Sequence, residues 1–283
     1  MLILSSEVAK TLAHAAESLP QAELTTTEQV EALRVLSAKS EALQRLIELA
    51  KAVFEEQGFV QIRGLTRDTG SSLFPAIGSL VGALFIDPVV GSALIRAHVK
   101  PREALMGNQL RYLPFHTDYS MLADPPRLTM SLCIEPDPTP GWGALLIADV
   151  EAMSFGVESD VECEAFQTIS FPFASKNAQS GVDLIDSPII SRDSNDRFLV
   201  RYHRSRIVQG FRAKGIRATK QQAATMLAFE RSLSDWTQIL HPEAGDITLI
   251  NNRRTVHGRT RCSIAVHGLD ETRGRQMQFI FAY

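Results

Sequence analysis

The chain has 283 residues, 45% hydrophobic and 22% charged, with a net charge of −3 and a pI near 6.2. That is the composition of a globular protein, and so small a charge excludes a field that would draw it to nucleic acid or an anionic membrane. Three scattered cysteines (Cys133, Cys163, Cys262) with no Cys-x-x-Cys pair exclude a structural zinc site and a disulfide framework.

Met1-Leu2-Ile3-Leu4 gives way to Ser5-Ser6-Glu7 without a basic segment, so no signal peptide is expected. No apolar run reaches spanning length. The expected location is the cytoplasm and the expected partner a small molecule, with no nucleic acid and no membrane. A first helix is expected through Val8, Leu12, Ala15 and Leu19, ended by Pro20. Thr25-Thr26-Thr27-Glu28 then offers N-caps. The apolar spacing from Val30 to Phe54 slips near Ser37–Ser40, so two helices or one kinked helix follow. Gly58 stops them, and Phe59 to Leu65 alternates as a strand. A helix is expected over Ser71–Phe85 and a strand over Ala93–Val99, and residues 101–112 read as loop. Strands are expected at Leu128–Ile134 and Gly143–Asp149. Short strands separated by turns are expected from about 150 to 220, and a helix from Thr219 to about Gln238. Strands over Ile247–Ile250 and Arg275–Phe281 close the chain.

Many short strands with a few flanking helices predict an α+β, mainly β, architecture: a double-stranded β-helix (jelly roll) with helical cover. Strict strand–helix alternation fails after residue 100 and there is no Gly-rich fingerprint, which disfavours a doubly wound sheet. One catalytic domain spans residues 1–283, with 1–57 as helical cover and 58–283 as jelly-roll core with insertions.

Within Leu113-Pro114-Phe115-His116-Thr117-Asp118, an extended backbone would project His116 and Asp118 to one face and Thr117 to the other. An imidazole beside a carboxylate supplies two ligands of a 2-His-1-carboxylate Fe(II) site, and His257 is the candidate third. The triplet alone is weak: 7 His and 32 acidic residues in 283 positions give about 7 × 32/283 ≈ 0.8 by chance. A second triplet, His241-Pro242-Glu243, runs into Gly245-Asp246 and reads as a turn. Arg275, alternating with Met277, Phe279 and Phe281, is costly on an apolar face unless it meets an anion; Arg273 competes for that role. Asn108, Gln109 and Arg111, in the loop before the metal strand, are candidate substrate contacts, with Arg201 and Arg204 weaker ones. His98, His203 and His267 read as ordinary histidines.

His116-Thr117-Asp118, Asn252-Arg253, His257-Gly258-Arg259-Thr260 and the late arginine together resemble the Fe(II)/2-oxoglutarate dioxygenases of the taurine dioxygenase and clavaminate synthase superfamily, over roughly residues 50–283. The resemblance implies iron held by His116, Asp118 and His257, and 2-oxoglutarate held through its distal carboxylate by Arg275. It also implies O2 as cosubstrate and hydroxylation or related C–H oxidation of a small polar metabolite, an amino acid or derivative. The chain departs from the family pattern twice. Ala144 (or Leu145, counting back from Asp149) stands where the family has a threonine that touches 2-oxoglutarate, and the interval from His257 to Arg275 is lengthened around Ser263–Leu269. The first departure supports a second reading, a jelly-roll metal enzyme that does not use 2-oxoglutarate, such as a cupin-like dioxygenase or isomerase; a metal-free small-molecule binding protein on the same fold is a third.

Overall fold

A computed structural model of the chain describes residues 1–19, 24–101, 106–156, 160–175, 184–193, 195–267 and 271–283. Capping decides where the first helices begin. After β1 (Leu2–Ile3), the side chains of Ser5, Thr26 and Ser40 accept hydrogen bonds from Val8, Gln29 and Leu43 backbone N–H groups. They open α1 (Ser6–Glu17), α2 (Thr27–Ser37) and α3 (Glu41–Gln57). The slip in apolar spacing is thus a true break between two helices; Pro20 lies outside the described residues. Gly58, at φ 74°, ends α3 in the left-handed region that glycine tolerates. It leads into β2 (Phe59–Arg63), and α4 covers Arg67–Val81, earlier than the periodicity suggested because Thr66 caps it.

The chain then lays down β3 (Ile95–His98), β4 (Leu113–His116), β5 (Leu128–Glu135) and β6 (Leu145–Asp149). The segment from 150 to 220 departs from expectation. Alongside β7 (Phe171–Ala174), β8 (Leu184–Ser187), β9 (Ile190–Arg192) and β10 (Phe198–Val200) it holds helices α5 (Val150–Gly156), α6 (Asp160–Thr168) and α7 (Arg204–Ala213). These helices are short, and in α7 the buried stripe is only Ile207, Gly210 and Phe211 among arginines. Such a stripe is too narrow to register as helical periodicity. The helix α8 (Lys220–Ser232) stops short of Gln238, which belongs to β11 (Thr237–Leu240), and β12 (Ile247–Asn251) and β13 (Thr255–Arg259) follow. The lengthening before Arg275 is a hairpin of β14 (Ile264–His267) and β15 (Glu271–Gly274), and β16 (Gln276–Ala282) closes the chain.

A six-stranded sheet of order β1-β2-β12-β5-β16-β3 faces a four-stranded sheet of order β11-β6-β13-β4. In both, strands distant in sequence are neighbours, as jelly-roll winding requires. Because side chains alternate across a strand, β5 serves two environments. Leu128, Met130 and Leu132 join the apolar cluster under α1–α4, so Thr129, Ser131 and Cys133 point toward the opposing sheet. Between the sheets Phe59 and Ile250 meet Leu145 and Ile147. The outer side of the four-stranded sheet is covered by Phe166, Phe171, Phe173, Ile207, Phe229 and their neighbours. No helix among the described residues is long and apolar enough to cross a membrane.

Candidate metal centre

The centre is assembled by one strand pair. In the β4–β13 ladder His257 stands opposite His116, and Gly258 lets the strands approach, since a Cβ there would lie 2.8 Å from the Leu113 carbonyl oxygen. β4 ends at His116, so strand alternation alone does not place Asp118. Asn252, fully buried in the turn between β12 and β13, does so. Its Oδ1 accepts from the Asp118 N–H at 2.7 Å, and its Nδ2 donates to the Asp118 carbonyl at 3.0 Å and the Pro126 carbonyl at 2.9 Å. Thr117 turns away and pairs with the Tyr202 backbone. Tyr119 follows at φ 52°, an unusual conformation for a bulky residue, fixed by a 2.6 Å hydrogen bond from its hydroxyl to Asp87. Asn252→Ala leaves those backbone groups unpaired in the interior and is expected to destabilise the protein by about 2–4 kcal/mol. Thermal unfolding of the metal-free protein measures this.

Ligand atoms of His116, Asp118 and His257 all lie within 4.8 Å of one another, the one such group of three among the described residues. His257 Nε2 is 3.1 Å from Asp118 Oδ2, and His116 Nε2 is 3.8 Å from Oδ1. His116 Nδ1 sits 2.8 Å from the Pro114 carbonyl, which can only accept. Nδ1 therefore carries the hydrogen and Nε2 presents its lone pair to the cluster. Burial pushes His116 down to about 4, with the adjacent His257 adding to the effect, so the ring is neutral and ready to ligate. Burial would raise Asp118, but the His257 and His116 rings and the Thr129 hydroxyl, 2.7 Å from Oδ2, outweigh it and hold the carboxyl well below the usual range. Two imidazoles and one carboxylate, with a buried His257 Nδ1 that no described residue pairs, fit a divalent iron of the facial-triad type.

Arg275 falls between β15 and β16 and is 6% exposed. No described carboxylate lies within ion-pairing distance, and burial lowers its pKa. Gly143 makes room for it, since a Cβ there would be 2.9 Å from Arg275 Cδ. Arg273 is exposed and paired with Glu135. At the family's threonine position, Ala144 donates its N–H to Thr260 Oγ1 at 2.9 Å, and Leu145 points between the sheets. Neither supplies a hydroxyl. Arg259, two residues after His257, holds the carbonyls of Gly107, Gln109 and Arg111 at 2.7, 2.5 and 2.9 Å. This ties the loop carrying Asn108, Gln109 and Arg111 to the metal strand; residues 102–105 lie outside the described residues. The Arg201 guanidinium is spent on the carbonyls of Ser120, Leu122 and Ala123, and Arg204 on Glu230. Both shape the scaffold and present no free cation to a ligand, a correction to their candidacy. His203, in contrast, is no ordinary histidine: it bridges to His116 through the backbone, with ring centroids 5.1 Å apart. Arg206, one turn on, is half-buried with no described carboxylate at ion-pairing distance. Thr129 and His203 carry no local sequence motif, and Asn252 shows only within the family-like Asn252-Arg253 pair; folding alone brings them to the centre.

Solved structures of two oxygenases share the fold. Asparagine oxygenase, determined with Fe(II), 2S,3S-3-hydroxyasparagine and succinate, superposes with a TM-score of 0.81 at 19% identity, covering 99% of this chain and 92% of that one. The non-heme iron oxygenase OrfP, determined with Fe and alpha-ketoglutaric acid, superposes with a TM-score of 0.74 at 14% identity, covering 99% and 92%. A mutant form of OrfP in complex with (3S)-hydroxy-L-Arg gives 0.75 at 14%, covering 99% and 93%. No curated protein sequence matches the chain. The family model described as taurine catabolism dioxygenase TauD, TfdA family matches residues 22–278, nine-tenths of the sequence, and the chain belongs to that family.

Proposed function

We propose that the protein is an Fe(II)- and 2-oxoglutarate-dependent dioxygenase that hydroxylates, or otherwise oxidises a C–H bond of, an amino acid or amino-acid derivative. The convergence of His116, Asp118 and His257 within 4.8 Å carries this reading. The three side chains would hold iron, leaving positions open for cosubstrate and oxygen. Iron with bound 2-oxoglutarate supplies the oxygen-activating chemistry, and the protein supplies ligands, orientation and a water-poor interior. Arg275 would pair with the distal carboxylate of 2-oxoglutarate, a match of planar fork to planar anion. Its lack of any described anionic partner supports it over Arg273, whose charge is already met. The loop of Asn108, Gln109 and Arg111 would contact substrate from one side, and Arg206 would receive an anionic group from the other. Amino-acid substrates fit this arrangement of amide, cationic and apolar walls, and asparagine oxygenase and OrfP were determined with hydroxylated asparagine and arginine. Residues 1–57 would act as cover for the catalytic core of 58–283 in one domain. Unbridged Cys133, Cys163 and Cys262 suit a reducing cytoplasm.

Anaerobic titration with Fe(II) and then 2-oxoglutarate tests the reading. A visible metal-to-ligand charge-transfer band is expected on the second addition, followed by stimulation of 2-oxoglutarate consumption by an L-amino acid. Iron binding without the band would favour an enzyme that does not use the keto acid. Absence of iron binding would remove the reading altogether.

A further inference from the structure

The inner face of β5 runs Thr129, Ser131, Cys133, and its two ends are anchored to the two halves of the site. Thr129 donates to the Asp118 carboxylate at 2.7 Å. Cys133 stands opposite Met277 in the β5–β16 ladder, two residues from Arg275, whose charge acts on its thiol more strongly than any other. At about 3.3 Å per residue the two ends are roughly 13 Å apart, with Ser131 midway. Ser131 thus sits on the strand between the position that touches a metal ligand and the one beside Arg275. Ser131 is 3% exposed, and its hydroxyl has no hydrogen-bond partner among the described residues. A buried hydroxyl without a partner costs free energy in the empty protein, and native interiors rarely leave one without a use. On the opposing sheet, the position where the family carries a hydroxyl holds Ala144 and Leu145, neither of which has one.

Building on the function proposed above, we infer that Ser131 donates a hydrogen bond to the distal carboxylate of 2-oxoglutarate, sharing it with Arg275 and replacing from β5 the contact missing on β6. The hydroxyl makes no described hydrogen bond within the protein, so its removal should be harmless to the fold. The loss should appear only when the diacid binds.

The test compares wild type with Ser131→Ala and Ser131→Thr, each loaded anaerobically with Fe(II) and titrated with 2-oxoglutarate or with 2-oxobutyrate, which lacks the distal carboxylate. The charge-transfer band reports binding, with no turnover needed. Ser131→Ala is expected to bind iron normally and keep or raise the wild-type melting temperature. Its 2-oxoglutarate Kd should weaken by roughly tenfold or more, the scale of a hydrogen bond to a charged group, with no change for 2-oxobutyrate; Ser131→Thr should restore most of the affinity. An unchanged 2-oxoglutarate Kd, or equal weakening for both keto acids, overturns the assignment. So does a fall in melting temperature that Ser131→Thr does not repair, because it reveals a structural role. Failure of wild type itself to bind iron or give the band marks instead the failure of the underlying function, and the assignment falls with it.

Discussion

Alanine in place of His116, Asp118 or His257 is expected to abolish iron-dependent turnover and to lower Fe(II) affinity by at least about a hundredfold, since even residues that merely orient a ligand are worth roughly 10–100-fold. The three sites should not respond identically in the metal-free protein. Asp118 is the only carboxylate in the cluster and accepts from Thr129 and His257. Its loss leaves the buried Thr129 hydroxyl and the His257 imidazole without their shared acceptor. His116 and His257 each leave a cavity between β4 and β13, where they pair. Thr129→Val removes one hydrogen bond to Asp118 while keeping volume, so it is expected to sit between wild type and the alanine variants, weakening iron by roughly 10–100-fold. Iron content after anaerobic reconstitution and desalting, with circular dichroism to establish folding, orders the series. A variant at any of the three ligands that keeps stoichiometric iron and full activity would sink the triad.

How much of this centre could be read beforehand depends on whether the information was local. Alternating strands and capped helices are local, and β2, β5, β12, α2 and α3 stand where spacing and caps put them. His116 and Asp118 were legible as a pair, but for an incomplete reason. Strand alternation ends at His116, and it is Asn252, 134 residues away, that aims Asp118. Asn252 was visible only as part of a family-like motif, because a side chain clamping a distant backbone leaves no periodic trace. Arg201, Arg204 and Arg206 show the same limit more sharply. Within six residues the chain places three arginines of indistinguishable sequence context. One is buried on three carbonyls, one is paired with Glu230 on the surface, and one is left half-buried near His203 with no described carboxylate at ion-pairing distance. Their different fates follow from which loop or helix folds against each, and composition carries no record of that. The helices between 150 and 213 escaped because tertiary contacts, not their own apolar stripes, hold them in place.

Arg275 separates the 2-oxoglutarate reading from its rivals most cleanly, because its substitution should move stability and ligand affinity in opposite directions. A guanidinium that is 6% exposed, with no described carboxylate at ion-pairing distance and only the longer-range field of Asp137 beside it, is desolvated with little compensation. Replacing a poorly compensated buried charge by an apolar side chain of similar volume is commonly neutral or stabilising by roughly 1–4 kcal/mol. Arg275→Met is therefore expected to raise the melting temperature of the cosubstrate-free protein. With 2-oxoglutarate present the order should reverse. Wild type gains stability by mass action as the ligand saturates it, while the variant leaves the distal carboxylate unpaired in the interior. Breaking one side of a buried charge pair costs about 3–5 kcal/mol, so the variant's 2-oxoglutarate Kd should rise by roughly two to three orders of magnitude. Arg273→Met is the control: the arginine is exposed, and Glu135 keeps its hydrogen bond from Gln276 when the arginine is gone, so the change should cost no more than about 1 kcal/mol and leave Kd unmoved. Melting curves with and without 2-oxoglutarate, alongside charge-transfer titrations, give both quantities from the same three proteins. If Arg275→Met binds 2-oxoglutarate as wild type does, the buried arginine serves another anion and the jelly-roll enzyme without 2-oxoglutarate becomes the better account. If Arg273→Met is the variant that loses affinity, the two arginines have exchanged roles, and the Glu135 pair must open when the keto acid arrives.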